Sequence, residues 1–211
     1  MDSVISMVML DADFYSGKSS LLSTLLRILD LDSGKLLIDG VDLEIVPRNV
    51  VRSRIIAIPQ DPFILNGSVR LNVDITETVT DNLIINALTK VRLWDVLEPR
   101  GGLDVDMNKQ PLSQGQQQLF CLARAMLRTG SKILVLDEAT SSTDIETDRF
   151  MHQLIRAEFA EHTIITVAHR LETIKDSDKI AVLEKGHLVE FGSPEELLSR
   201  PSAYGELWRQ R

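Results

Sequence analysis

The chain has 211 residues, 44% of them hydrophobic and 26% charged, with a net charge of −8. That mix fits a soluble globular protein of one substantial domain, and the acidic balance argues against a nucleic-acid surface, which carries a basic excess. Cys121 is the only cysteine, so no intramolecular disulfide forms. No run approaches the ~18 apolar residues that span a bilayer.

The opening "ISMVML" (5–10) is expected to be a buried strand, too short to span and without the basic region of a signal peptide. "SSLLSTLLRIL" (19–29) carries leucines at helical spacing, and "GKLLIDGVDL" (34–43) predicts a hairpin turning at Asp39-Gly40. "RIIAIPQ" (54–60) is a short strand that Pro59 ends. The middle is mostly helical, with a helix over 81–98 capped by Asp81 and another over 115–128 that places Cys121 in the core.

"KILVLD" (132–137) predicts a buried strand, 144–159 a helix, and "HTIITVAH" (162–169) a further strand. Residues 178–192 predict a hairpin turning at Lys185-Gly186, followed by a helix with a Ser193–Glu196 capping box and Pro194 in its first turn. Apolar strands alternating with helices imply an α/β domain with a largely parallel sheet.

Several places along this order carry chemistry. Gly17, Lys18, Ser19 and Ser20, preceded by Ser16, start the first helix and match the end of the phosphate-binding loop G-x-x-x-x-G-K-[ST]. A lysine there reaches β- and γ-phosphates, the Ser19 hydroxyl suits Mg²⁺, and the free N–H groups of a helix start receive anions. "ILVLDEATSSTD" (133–144) ends an apolar strand in Asp137 and Glu138, whose side chains point to opposite sides of a strand. One of the two suits a metal's water shell and the other an attacking water. His169 ends another apolar strand, where parallel sheets place ligands, and Gln60 follows a third.

That order resembles the ATP-binding cassette family. "LSQGQQQLFCLARAML" (112–127) is similar to the family's signature motif Leu-Ser-Gly-Gly-Gln and its helix, with Gln114 in place of the first glycine. The resemblance implies a P-loop NTPase fold: a mostly parallel α/β core, a helical subdomain over 61–127, and an incomplete N-terminal antiparallel β-subdomain. It implies Glu138 as catalytic base and His169 at the γ-phosphate. Ser16, Gly17, Lys18, Ser19, Ser20 and Gln60 then bind ATP, with Ser19, Gln60 and Asp137 on Mg²⁺. Ser113, Gly115 and Gln116 meet the ATP held by a second nucleotide-binding domain in a head-to-tail dimer, and Asp144 lies at that interface. Transmembrane domains of an exporter are the further partners, with no nucleic acid. The location implied is the cytoplasmic side of a membrane. "QDPFILNGSVRLNVD" (60–74) and "GHLVEFGSPEELL" (186–198) resemble the second nucleotide-binding domain of subfamily C.

The resemblance begins at Ser16. Before it, Ala12 and Tyr15 stand where the loop has glycines, and Asp11 and Asp13 add negative charge. The expectation is that residues 1 to about 15 come from a wrong start, a different exon or a damaged gene. The alternative is a short protein with a degenerate phosphate loop that does not hydrolyse ATP. Loss of part of the β-subdomain is expected to expose apolar sheet surface.

Overall fold

The computed structural model describes residues 4–9, 17–137, 145–168 and 174–209, with backbone alone for 4–9, Lys18, Ala168 and Leu207. Two compact units divide the chain, one drawn from Met1–Ala57, Gly130–Glu138 and Glu161–Arg211, the other from Ile58–Thr129 and Ala139–Ala160.

The first unit is built on a parallel sheet. Strand β1 (Val4–Met9) pairs in parallel with β6 (Thr163–Ala168) on one side and β7 (Lys179–Glu184) on the other. β5 (Ile133–Asp137) continues the parallel pairing beyond β6, and β4 (Ile55–Ile58) lies outside β5. β8 (His187–Gly192) closes the other edge antiparallel to β7, with a bulge at Val182/Leu183. The apolar runs of β5 and β6 fit a sheet covered on both faces, which leaves no polar alternation to see.

Helix α1 (Lys18–Leu25) buries Leu22 and Leu25 in a cluster with Leu43, Val51, Ile55, Val135 and Val167. It ends four residues before the expected 29. Arg27 turns left-handed at φ 52°, and the amides of Ile28 and Leu29 fold back onto the Ser23 carbonyl at 2.7 and 3.2 Å. The Arg27 guanidinium fixes that turn by donating to the carbonyls of Leu43, Glu44 and Val46. Ile28 and Leu29 therefore lie exposed rather than on a core face.

The hairpin β2 (Leu37–Ile38) and β3 (Val41–Asp42) turns where the sequence predicts, with Asp39 at φ 51° and Gly40 at φ 77°, the two positive angles of a type I′ turn. Leu37 and Val41 on it are exposed. The β7–β8 turn at Lys185-Gly186 repeats the geometry, at φ 48° and 81°. Helix α2 (Arg48–Arg54), which no periodicity announced, starts directly after Pro47.

The second unit is helical. α3 (Val69–Val73) and α4 (Asp81–Lys90) pack against α6 (Gln114–Met126). The expected helix over 81–98 is two helices: α4 stops at Lys90, Arg92 turns left-handed at φ 58°, and α5 (Trp94–Leu97) restarts. The break closes with the Leu93 amide donating 2.8 Å to the Leu88 carbonyl, and the Arg92 guanidinium sits 4.2 Å from the Phe150 ring centroid. Thr80, not Asp81, is the N-cap of α4; Asp81 is its first helical residue and pairs with Arg70. α7 (Ile145–Glu158) is tied to α4 by Lys90 and Glu158 at 2.6 Å.

At the chain's end, α8 (Pro194–Leu198) carries the predicted Ser193–Glu196 capping box, and α9 (Ala203–Arg209) follows. The Glu190 carboxylate accepts from the amides of Ala203 and Tyr204 at the start of α9. Among the described residues no helix is long and apolar enough to cross a membrane.

Candidate functional site

In the first unit the parallel strands share one carboxyl edge. Asp137 ends β5 level with Val167 of β6, and Val167 is level with Met7 of β1. Asp137 is half-buried there, the position where open parallel sheets present groups to ligands.

α1 follows β1, and Gly17 is its N-cap at φ 91°. That angle belongs to glycine, since a Cβ in left-handed backbone is strained. A Cβ on Gly17 would also lie 3.4 Å from the Gly186 Cα in the β7–β8 turn. The Leu21 amide donates 2.9 Å to the Gly17 carbonyl, closing the first turn. Among the described residues no side chain caps the helix, and no acidic residue stands in its first turn. The amides of Lys18, Ser19 and Ser20 have no carbonyl of the same helix to reach, and the positive end of the helix dipole lies with them. Ser19 and Ser20 are exposed, and the Ser20 carbonyl accepts from Thr24 Oγ1 at 2.8 Å.

A backbone anion cradle, a serine hydroxyl and a carboxylate at the sheet edge are hard oxygen and N–H donors. Their chemistry suits Mg²⁺ with a phosphate chain. Among the described residues no group of three or more histidine, cysteine or acidic side chains could hold a metal by itself.

The second unit carries the other predicted residues. Ser113 caps α6 in a reciprocal box: its Oγ accepts from the Gln116 amide at 3.3 Å, and Gln116 Oε1 accepts from the Ser113 amide at 2.9 Å. Ser113 is exposed, and Gly115 and Gln116 are half-buried in the first turn. Gln60 is exposed just after β4 and Pro59. Cys121 is buried on α6 as predicted, and burial pushes its thiol up, the nearby Arg124 guanidinium opposing only in part.

The structure thus groups Gly17, Lys18, Ser19 and Ser20 in the first turn of α1 and puts Asp137 at the edge of the same unit. It places Gln60, Ser113, Gly115 and Gln116 in the other unit. Ser16, Glu138, Asp144 and His169 lie outside the described residues, as do Ala12 and Tyr15. Sequence reasoning missed Gln118 and Arg124. Gln118 is completely buried, and its Nε2 donates to the Gln60 carbonyl at 2.5 Å. Arg124 donates to the carbonyls of Asn72 and Phe63 at 2.5 and 2.7 Å. The signal was Gln118 at helical spacing from Cys121, Leu122 and Ala125, a position where an apolar face asks for another leucine.

The profile described as "ABC transporter" matches residues 16–141 of the chain. ABC multidrug transporter B of Aspergillus fumigatus is 50% identical over 189 residues, which are 90% of this chain and 13% of that protein. ATP-binding cassette sub-family C member 2 of Rattus norvegicus is 47% identical over 192 residues, 90% of this chain and 12% of that protein. The chain therefore spans about an eighth of the length of these curated relatives. A solved structure, a bacterial Atm1-family ABC exporter with ATP bound, superposes with a TM-score of 0.89 at 31% identity, covering 99% of this chain and 37% of that one. The fold is accordingly the α/β fold of a P-loop NTPase, and the chain belongs to the ABC transporter family.

Proposed function

We propose that the chain is the nucleotide-binding domain of an ABC exporter, the second such domain of a subfamily C type, and that it binds and hydrolyses Mg²⁺-ATP. The observation that carries the reading is the start of α1. It has a left-handed Gly17 and exposed serines, with no side-chain cap among the described residues, in the same unit as Asp137 at the carboxyl edge of the parallel sheet.

Under this reading the first-turn amides of α1 and Lys18 hold the β- and γ-phosphates, and the Ser19 hydroxyl, Gln60 and Asp137 hold the metal. Mg²⁺, when bound, supplies charge neutralisation on the phosphate chain. Glu138 takes a proton from the attacking water, and His169 orients the γ-phosphate. Ser113, Gly115 and Gln116 face the nucleotide of a second nucleotide-binding domain, and a hydroxyl already accepting from an amide still has its proton to donate to phosphate. Transmembrane domains are the partners that would make hydrolysis drive transport at a membrane.

The decisive experiment measures Mg²⁺-ATP binding and turnover by the full chain and its Glu138→Gln variant. Binding retained with turnover abolished supports the reading, whereas equal turnover removes Glu138 as the base. A second reading, a non-hydrolysing remnant, is favoured by Ala12 and Tyr15 in place of loop glycines. It predicts weak ATP binding that Ala12→Gly with Tyr15→Gly restores. No recovery in that double variant points away from the loop as the fault.

A further inference from the structure

Helix α6 grips the chain that follows β4 at three backbone carbonyls. Gln118 donates to that of Gln60, and Arg124, about 9 Å further along the helix axis, donates to those of Phe63 and Asn72. The Asn72 side chain, 1% exposed, closes the same segment on itself: its Oδ1 accepts from the Leu65 amide at 2.7 Å and its Nδ2 donates to the Leu65 carbonyl at 2.9 Å. Residues 60–72 are therefore fastened to α6 at both ends and cross-tied in the middle.

Gln118 is the informative member. It is fully buried, yet its Oε1 has no hydrogen-bond partner among the described residues. A buried amide that leaves one end unsatisfied is unfavourable, and an apolar side chain of similar size would fit the neighbouring run of Leu119, Phe120, Cys121 and Leu122 better. The bond to Gln60 is what glutamine adds at this position.

We propose that Gln118 is a positioning residue for Gln60, and that α6 carries residues 60–72 as one body with its own N-terminal turn. The inference rests on the reading that gives Gln60 to the metal and Ser113 to the opposite nucleotide, and deepens it. The two contacts then move together, so a displacement of the signature helix is felt at the Gln60 backbone without passing through nucleotide.

The test uses the full chain with Gln118→Met, and with Gln118→Leu should the first variant fold poorly. Both remove the donor and the orphan oxygen while keeping volume. Amide exchange across residues 60–66 is expected to rise about tenfold, with exchange in α6 and the melting temperature unchanged. Exchange unaltered in 60–66, or raised equally throughout α6, overturns the proposal.

Turnover with Mg²⁺ and ATP supplies the second readout. In the native background Gln118→Met is expected to lower kcat about fivefold, the size of one lost hydrogen bond. It should raise the Mg²⁺ requirement and leave KM for ATP alone. In a Gln60→Ala background it should add nothing, while full additivity of the two substitutions means that Gln118 does not act through Gln60. If the native chain turns over no ATP, it is the functional reading that fails; the exchange measurement then still decides whether Gln118 holds Gln60.

Discussion

α1 and α6 both begin at residues expected to face phosphate, and they begin in opposite ways. α1 starts at a left-handed glycine with exposed serines and, among the described residues, no side-chain cap. α6 starts at a serine whose hydroxyl and amide are both engaged by Gln116, and its buried stretch runs from Gln118 to Ala123 and includes Ala125. A helix start that receives a ligand leaves its amides for that ligand and depends on backbone shape. One that anchors a unit satisfies them internally and depends on burial. The first is expected to be sensitive to glycine and tolerant of side-chain loss, and the second the reverse.

The largest effect expected from this contrast is in the core of α6. Phe120 is completely buried, so Phe120→Ala should cost about 3–5 kcal/mol. Leu22→Ala in α1, at 6% exposure beside a surface that is already open, should fall at about 2–3 kcal/mol, the low end for buried leucine. Urea denaturation of the full chain measures both, and equal losses would mean that α1 is anchored as deeply as α6.

The next effect reverses the order. Gly17→Ala puts a Cβ on left-handed backbone at φ 91°, for about 1–2 kcal/mol of strain. Its relief lies in turning the first-turn amides away, so ATP affinity should fall about five- to thirtyfold for the same energy. Calorimetric titration with Mg²⁺-ATP reads this directly. Affinity unchanged by Gly17→Ala would show that the α1 start does not hold phosphate. Ser113→Ala removes the α6 cap for about 1 kcal/mol and should leave affinity for nucleotide on the chain's own α1 intact.

Much of this contrast was legible in the sequence. Turn chemistry placed both I′ hairpins at Asp39-Gly40 and Lys185-Gly186, and the Ser193–Glu196 box was visible from its spacing. The strands expected over 132–137 and 162–169 correspond to β5 and β6. What was hidden depends on the backbone turning against side-chain preference. Arg27 and Arg92 take left-handed angles, for which arginine carries no signal, so the leucine periodicity overran the true end of α1 and the break after α4. Helix α2 was hidden for the opposite reason, because RNVVRSR has no repeating apolar face. At the site, Gly17, Lys18 and Ser19 announced the first turn of α1 through composition. The Gln118 clamp did not show, because its partner is a carbonyl, which every residue has.

The smallest effect separates the regions by pH and falls on Asp74, two residues past the segment that α6 holds. Burial alone would raise its carboxyl. The hydrogen bonds from the Thr76 hydroxyl and from the amides of Val79, Thr76 and Thr78 outweigh burial and hold it below its ordinary value. A carboxylate held low in the folded state stabilises at every pH above its unfolded value. That contribution starts to fade as pH drops below about 4 and is lost once pH passes the lowered folded value. Asp74→Asn keeps the shape but gives up an acceptor for these amides, so it should be about 1 kcal/mol less stable at pH 7. Other carboxylates here are also held low, Asp81 by Arg70 and Glu196 by the Ser193 amide, so the quantity to read is the difference between the two proteins. Urea denaturation at pH 7 and pH 3 should show the gap between native chain and variant narrowing as pH falls. A gap that stays constant would mean that the Asp74 charge contributes nothing beyond its shape.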